Sequence, residues 1–436
     1  MYFVNMLNTM DTEDIFMNSD KNRQIAQTMK ETLERHSSME CRTFEIKAVS
    51  NKLNINQKEY INGIFKEAKW IRNAYISDIE TCKGNIREIP VKVGNDTELR
   101  KLVYIGSQIK QSVIKQVNNE IKSLSSHKKK GDKIGKLKYK SVCNAVGLKQ
   151  YGTTYKIDFD HNRIKVQNIK KPLYVRGLKQ IPQDAEICNV KMVRKASGLY
   201  FYVTCYIPKK EPVLTSKNVG IDFGIEHNLT LSNDATYDIC VPENKAVKLA
   251  SKRLNRSFKR NGEIKSNNYY KRVHALQKAY EKDRNIRKDK ANKIVSEIIS
   301  NYDFIAIQDE MIHNWHSGLF GKQVQCSAMG IIKAKLKKSS KVFMVERAYP
   351  STQICPICGC LIKHPLDKRE YNCAHGGYHH PSRDIKSAQS ILDEALKQVS
   401  MERRTNSPVE LKTSGADDLL IRRIKPQAVK QEAQVL

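Results

Sequence analysis

The stretch Asn218–Ile225, read N-V-G-I-D-F-G-I, constrains this chain most. Val219, Ile221, Phe223 and Ile225 make it a short apolar run, the pattern of a buried strand. Within it sits one carboxylate, Asp222, bracketed by Gly220 and Gly224. An acid in such surroundings is costly unless something pairs with it. A metal ion is the commonest partner for an acid on a strand that lines a cleft. Taken alone, the stretch reads better as a strand ending in a plain Asp-x-Gly turn. Chemistry requires more acids downstream in similar settings.

Two follow. Asp303–Gln308 reads as a second buried strand, and Asp309-Glu310 stand at its end. Lys341–Val345 is a third strand. A last helix starts near Ser382 and carries Asp384 in its first turn. Between the first two strands lie a meander (Asn228–Ser232, a turn at Asn233-Asp234, Ala235–Ile239) and a helical region, Ala246–Ile299, interrupted near Asn261-Gly262. This order is that of an RNase H-like fold, a mixed sheet flanked by helices. It brings Asp222, Glu310 and Asp384 to one edge of the sheet, with Asp309 an alternative to Glu310. Three converging carboxylates repel one another, and hard divalent cations such as Mg²⁺ relieve the repulsion. Two such ions suit phosphodiester hydrolysis.

Four of the eleven cysteines crowd between Cys355 and Cys373. Cys355-Pro-Ile-Cys358 has knuckle spacing, and Cys373 returns after a basic hairpin, Lys363–Arg369. The pattern predicts a zinc ribbon. Three residues after Cys373 stands Gly376 where a fourth cysteine belongs. The fourth ligand is therefore open among His375, His379, His380 and Cys360. The other seven cysteines are isolated and read as reduced thiols.

The chain before residue 218 is organised differently. Residues 1–41 are polar and aperiodic, an extension that is flexible or weakly helical. Arg42–Val49 alternates as a strand. Asn56, with Glu59 three residues on, predicts a helix start, followed by Ile61, Ile64, Phe65 and Ala68 on one face. A second helix is expected from near Glu98, with a stripe from Leu102 through Ile109, Val113 and Val117 to Leu124. Residues 50–126 thus read as a small helical domain inserted after the first strand. Lys128–Lys140 is a basic, phosphate-contacting segment. Residues 144–208 turn to strands and predict a β-barrel or sandwich completed by Arg42–Val49. A linker at Glu211-Pro212 and Ser216 follows, and the tail after Ser400 reads as disordered.

Charge names the class of partner. Lys plus Arg number 77 against 46 Asp plus Glu, a net charge of +31. Between 251 and 293, fifteen basic residues face four acidic ones. Such one-sidedness self-repels without a polyanion, so nucleic acid is the expected partner. No apolar run reaches membrane length, and Met1–Asn18 lacks the basic start of a signal peptide, so an intracellular place is expected.

The motifs G-I-D-F-G-I, I-Q-D-E-M-I-H-N-W-H, Y-P-S-T-Q-I-C-P-I-C-G and S-R-D-I-K-S-A, in that order, resemble those of the transposon-encoded TnpB proteins and their descendants, the compact type V CRISPR effectors. The resemblance covers roughly Arg42 to Leu396. It implies a bilobed α/β multidomain protein. Residues 218–353 with 381–400 would form a RuvC nuclease domain, and 354–380 its zinc-ribbon, target-nucleic-acid-binding insertion. Residues 42–49 with 131–217 would form a β-barrel wedge domain, and 50–130 a helical recognition domain. Residues 1–41 and 401–436 would be terminal extensions. The implied activity is RNA-guided DNA cleavage beside a short recognition motif, with guide RNA, target duplex and displaced single strand as partners. Asp222, Glu310 and Asp384 would be the catalytic, Mg²⁺-binding acids. Cys355, Cys358 and Cys373 would hold Zn²⁺, with His375 expected as the fourth ligand. Such a protein acts in the prokaryotic cytoplasm, on the nucleoid, as a monomer or homodimer. Two departures stand out: Gly376, and Pro381-Ser382 where many relatives carry another acid. An RNA-guided regulator that does not cut, or an unguided resolvase or transposase, are the alternative readings.

Overall fold

In a computed structural model the chain divides into two compact units, Met1–Glu211 and Pro212–Leu436. The structure describes residues 12–82, 86–129, 131, 133–209, 215–224, 229–242, 244–261, 265–318, 320–365 and 368–405. Ile225, the linker at Glu211-Pro212 and the tail beyond 405 lie outside them.

The first unit opens with α1 (Thr12–Ser37) and β1 (Met39–Ala48). Both begin before the expected Arg42. The end of α1 is fixed by His36, whose ring stacks on Tyr206 at 3.6 Å, and by Arg35, 3.0 Å from Glu186. Next comes α2 (Ile55–Ser77). Its cap is Asn54, not Asn56. The Asn54 side chain accepts from Gln57 N at 2.7 Å, and the Gln57 side chain accepts from Asn54 N at 3.0 Å. This reciprocal pair satisfies two backbone donors that a helix start leaves orphaned.

The expected helix from Glu98 is instead a hairpin, β2 (Glu88–Val93) and β3 (Asp96–Lys101). Gly94-Asn95 forms its two-residue turn, and Gly94 has φ +64°. A glycine–asparagine pair favours such a hairpin loop. Helix α3 (Ser107–Lys129) starts later and keeps the inner part of the expected stripe, Ile109, Val113 and Val117, buried. The buried Glu67 of α2 accepts from the backbone N–H groups of Val103, Tyr104 and Ile105, anchoring the entry to α3.

Strands β4 (Ala145–Leu148), β5 (Tyr155–Asp158), β6 (Arg163–Val166), β7 (Leu173–Arg176), β8 (Glu186–Lys195) and β9 (Gly198–Pro208) join β1 in a seven-stranded antiparallel sheet. Its order is β4-β8-β9-β1-β7-β6-β5. The two edge strands are linked by a short turn with a bridge between Tyr151 and Tyr155, so the sheet nearly closes. One continuous core runs from Ile46 and Phe201 in this sheet to Ile64, Ile71, Ile89 and Val117 outside it. Helices and sheet here are one packing unit rather than an inserted domain with its own core.

In the second unit β10 (Asn218–Asp222), β11 (Leu229–Leu231), β12 (Thr236–Tyr237), β13 (Phe304–Gln308) and β14 (Val342–Val345) form a mixed sheet ordered β12-β11-β10-β13-β14. β10, β13 and β14 run parallel, and β11 is antiparallel to β10. Between strands come α4 (Lys245–Asn261), α5 (Asn267–Asn301), α6 (Ile312–Trp315), α7 (Gly321–Cys326) and α8 (Met329–Leu336). The small ribbon β15 (Tyr371–Cys373) and β16 (Tyr378–His380) precedes α9 (Arg383–Thr405).

From Phe304 to Ile307 β13 is apolar because both its faces are covered. Ile305 and Ile307 pack with Ile294 and Ile298 of α5 and Ile332 of α8. Phe304 and Ala306 pack with Ile391 and Ala395 of α9. α9 also lies against β10. A Cβ on Gly220 would collide with the carbonyl oxygen of Ala388 and come within 2.9 Å of Leu392 Cβ. Glycine is required there by close approach rather than by a turn. No helix among the described residues is long and apolar enough to cross a membrane.

Candidate active site and thiol cluster

Asp222 ends β10 and is only 7 % exposed. Burial pushes its carboxyl up to about 7, and the charge of Asp384 adds to the rise. A hydrogen bond with Ser387, the Phe223 N–H and the charge of Arg383 oppose it. Glu310 lies two residues past β13. Burial pushes it up to about 8, the charge of Asp222 adds, and Lys333 opposes. Its Oε2 is buried with no hydrogen-bond partner among the described residues. Asp384 sits in the first turn of α9, where Ser382 Oγ accepts from Ile385 N at 3.3 Å. A helix start favours a negative charge. Arg369 stands 3.8 Å from Asp384 Oδ2. The interactions thus chain Glu310 to Asp222 and Asp222 to Asp384.

Asp309 is placed differently. It pairs with Lys333 at 3.6 Å and Arg347 at 3.7 Å. Lys333 Nζ also donates to the Glu310 carbonyl at 2.6 Å. The charge of Asp309 is therefore compensated locally, whereas an oxygen of Glu310 is not.

A hydrogen-bonded spine supports the acids. Gln308 Nε2 donates to the carbonyls of Glu346, Arg347 and Tyr349, and its Oε1 accepts from Ser351 Oγ at 3.0 Å. Ser351 Oγ is 3.0 Å from Ser387 Oγ, and Ser387 reaches Asp222. Next to Ser387, Lys386 is fully buried. Its Nζ donates to Ser351 O at 3.0 Å and lies 4.1 Å above the Tyr371 ring. Burial lowers this lysine to about 8, against the pull of Cys355.

Tyr371 belongs to a small core with Cys355 and Cys373. The sulfurs of Cys355, Cys358 and Cys373 lie within 4.8 Å of one another. Burial raises the Cys355 thiol, but the N–H groups of Cys358 and Ile357 outweigh it and hold it below the usual value. Three soft donors at this separation fit zinc. His375 is exposed and stands outside the cluster, as do Cys360, His379 and His380. His375, expected as the fourth ligand, does not stand with the sulfurs, and its side chain turns to solvent.

Sequence reasoning missed Lys333, Ser351, Ser387 and Lys386. One signal for Lys333 is its place on the apolar face of α8, between Met329, Ile332 and Leu336. Lys386 and Ser387 adjoin Asp384, but nothing in a linear reading says that they turn inward.

Two family models match the chain. Residues 201–314 match OrfB_IS605, described as a probable transposase, and 328–391 match the Cas12f1-like TNB domain. The first spans Asp222 and Glu310; the second spans the thiol cluster and Asp384. A curated relative, "Putative RNA-guided DNA endonuclease InsQ" of Escherichia coli (strain K12), is 25 % identical over an alignment of 268 residues that covers 56 % of this chain and 64 % of that protein. A solved structure, the Cas12f1-sgRNA-target DNA complex by cryo-EM, aligns with a TM-score of 0.47 and 13 % identity, covering 81 % of this chain and 99 % of that one. By these partial matches the chain is similar to TnpB proteins and compact type V effectors, and it spans just under two thirds of the length of the curated relative.

Proposed function

We propose that this protein is an RNA-guided DNA endonuclease that hydrolyses phosphodiester bonds at Asp222, Glu310 and Asp384. The observation that carries the reading is the buried, unpartnered Oε2 of Glu310 beside Asp222 and, through it, Asp384. Buried carboxylates so arranged need a cation, and an all-oxygen donor set suits Mg²⁺. When bound, paired Mg²⁺ ions activate water and stabilise the leaving oxygen. The chain's part is to hold the acids. Asp222 is fixed by β10 and Ser387, Asp384 by the α9 start, and Glu310 by its carbonyl on Lys333. In this reading 218–353 with 381–400 act as a RuvC-type, RNase H-like domain, and 354–380 as a zinc-ribbon insertion. Residues 42–49 with 131–217 act as the wedge and 50–130 as the recognition region.

The relative's name and the charge of +31 support a nucleic-acid partner on which base pairing, rather than protein side chains, reads the sequence. The test is to express the protein with its native flanking DNA and sequence the RNA that copurifies. That RNA should be discrete and end in a variable segment. A plasmid carrying the matching target should then be cut with Mg²⁺ and spared with EDTA. No specific RNA, or guided binding without cutting, would overturn the proposal.

A further inference from the structure

The two halves of the ribbon share one plan. In the first, Cys355-Pro-Ile-Cys358 is followed by Gly359 at φ +71°. In the second, Cys373-Ala-His-Gly376 is followed by Gly377 at φ +58°. Gly359 N donates to Cys355 O at 3.0 Å, closing the first turn, and Gly376 N donates to Cys373 Sγ at 3.2 Å in the second. Cys358 and Gly376 are therefore equivalent positions. A Cβ on Gly376 would lie 3.1 Å from Cys355 Sγ and 3.2 Å from Cys358 Sγ, so a side chain there points at the sulfurs. The backbone of a four-ligand ribbon is kept while one ligand is missing.

No other His, Cys, Asp or Glu among the described residues joins the three sulfurs. His380 Nδ1 accepts from Ser382 N at 3.0 Å, and the exposed His379 faces Glu370 at 3.5 Å. His375 is exposed and lies outside the cluster, and the exposed Cys360 hydrogen-bonds with Cys358 but does not come within 4.8 Å of all three sulfurs. Charge supplies a second, independent observation. The fully buried Lys386 ammonium lies over Tyr371, which packs against Cys355 and Cys373. A buried cation calls for a nearby anion. Zinc on three thiolates, its binding releasing their protons to solvent, carries one net negative charge and answers that need.

We propose that the ribbon holds zinc on Cys355, Cys358 and Cys373 alone and keeps a fourth coordination position open at Gly376, occupied by water and exchangeable for small thiols. Three protein ligands plus solvent is the coordination of an accessible zinc rather than a closed structural one. The inference concerns the ribbon only and does not rest on guided cleavage.

The test uses the full-length protein with Co²⁺ in place of zinc. Only sulfur ligation gives the sulfur-to-cobalt absorption band, so metal at the carboxylates is not counted. One thiolate-bound metal per chain is expected, and its band should grow by about one third on adding 2-mercaptoethanol, as three thiolates become four. In Gly376→Cys the band should start at the larger size and ignore the added thiol. Cys360→Ser and His375→Ala should match the unaltered chain. Absence of a sulfur band from the unaltered protein would overturn the proposal. So would a band that ignores the added thiol, or one that changes in Cys360→Ser or His375→Ala. The thiol titration of the unaltered chain decides even if Gly376→Cys does not fold.

Discussion

The acid site and the thiol cluster lie on either side of the same helix start, and they fail electrostatically in opposite directions. Around Asp222 there is an excess of donor charge: two carboxyls pushed up by burial, a third nearby, and one oxygen without a partner. Around Cys355 there is one donor too few, and a buried ammonium stands behind the sulfurs. Surplus at the first site would couple any ion bound there strongly to pH and to local geometry. Deficit at the second leaves geometry intact and opens the coordination sphere.

The strongest way to break this contrast is to remove an acid. Asp222→Ala, Glu310→Ala and Asp384→Ala should each reduce plasmid cleavage to background while copurifying RNA is retained. Cleavage surviving in one of them removes that acid from the site. Next is Gly220→Ala. Its methyl group must push α9 away from β10, costing about 1–3 kcal/mol in a denaturant titration. Cleavage should fall by roughly 100-fold through misplacement alone. Unchanged activity would mean that the spacing of Asp222 and Asp384 is not set at this contact.

A milder effect concerns pH in metal-free protein. Asp222 and Glu310 titrate higher when folded than when unfolded, so the stability linked to them is present at low pH. It is lost progressively as pH rises from the unfolded carboxyl range, roughly 4, to about 7 and about 8. Thermal melts in EDTA should weaken across that window. Mg²⁺ should reverse the loss, and Asp222→Asn should flatten it. A melting temperature independent of pH there would contradict the burial of both charges. The smallest effect is expected for Asp309→Asn. A partly exposed ion pair is worth about 0–1 kcal/mol, so cleavage should stay within a few-fold of the unaltered protein. A loss as large as that of Glu310→Ala would exchange the roles of the two acids.

Much of the second unit is legible in sequence. β10 and β13 are short apolar runs ending at acids, and α4 and α5 are long polar helices, so length and period identify them. In the first unit two signals compete. The residues from Glu98 to Leu124 hold apolar positions at helical spacing, which hides the Gly94-Asn95 turn and the strand after it. The helix cap is displaced by two residues because Asn54-Gln57 and Asn56-Glu59 offer nearly the same chemistry, and only Asn54 meets the chain at the right dihedral angles. At the site, the acids are legible because an isolated carboxylate in an apolar run is rare. Lys333 and Ser387 are not, because their roles come from contacts across the fold, with Glu310 and Ser351.

The contact at Gly220 has a consequence for how the site is held. The close approach there leaves no room for even a methyl group, which ties the strand that carries Asp222 to the helix that carries Asp384. Glu310 has no such weld; it hangs from a strand end by a lysine on its carbonyl. The segment after β13 is therefore the part of the acid cluster held by the fewest contacts, and a Lys333 variant tests that hold more directly than a variant of the acids does.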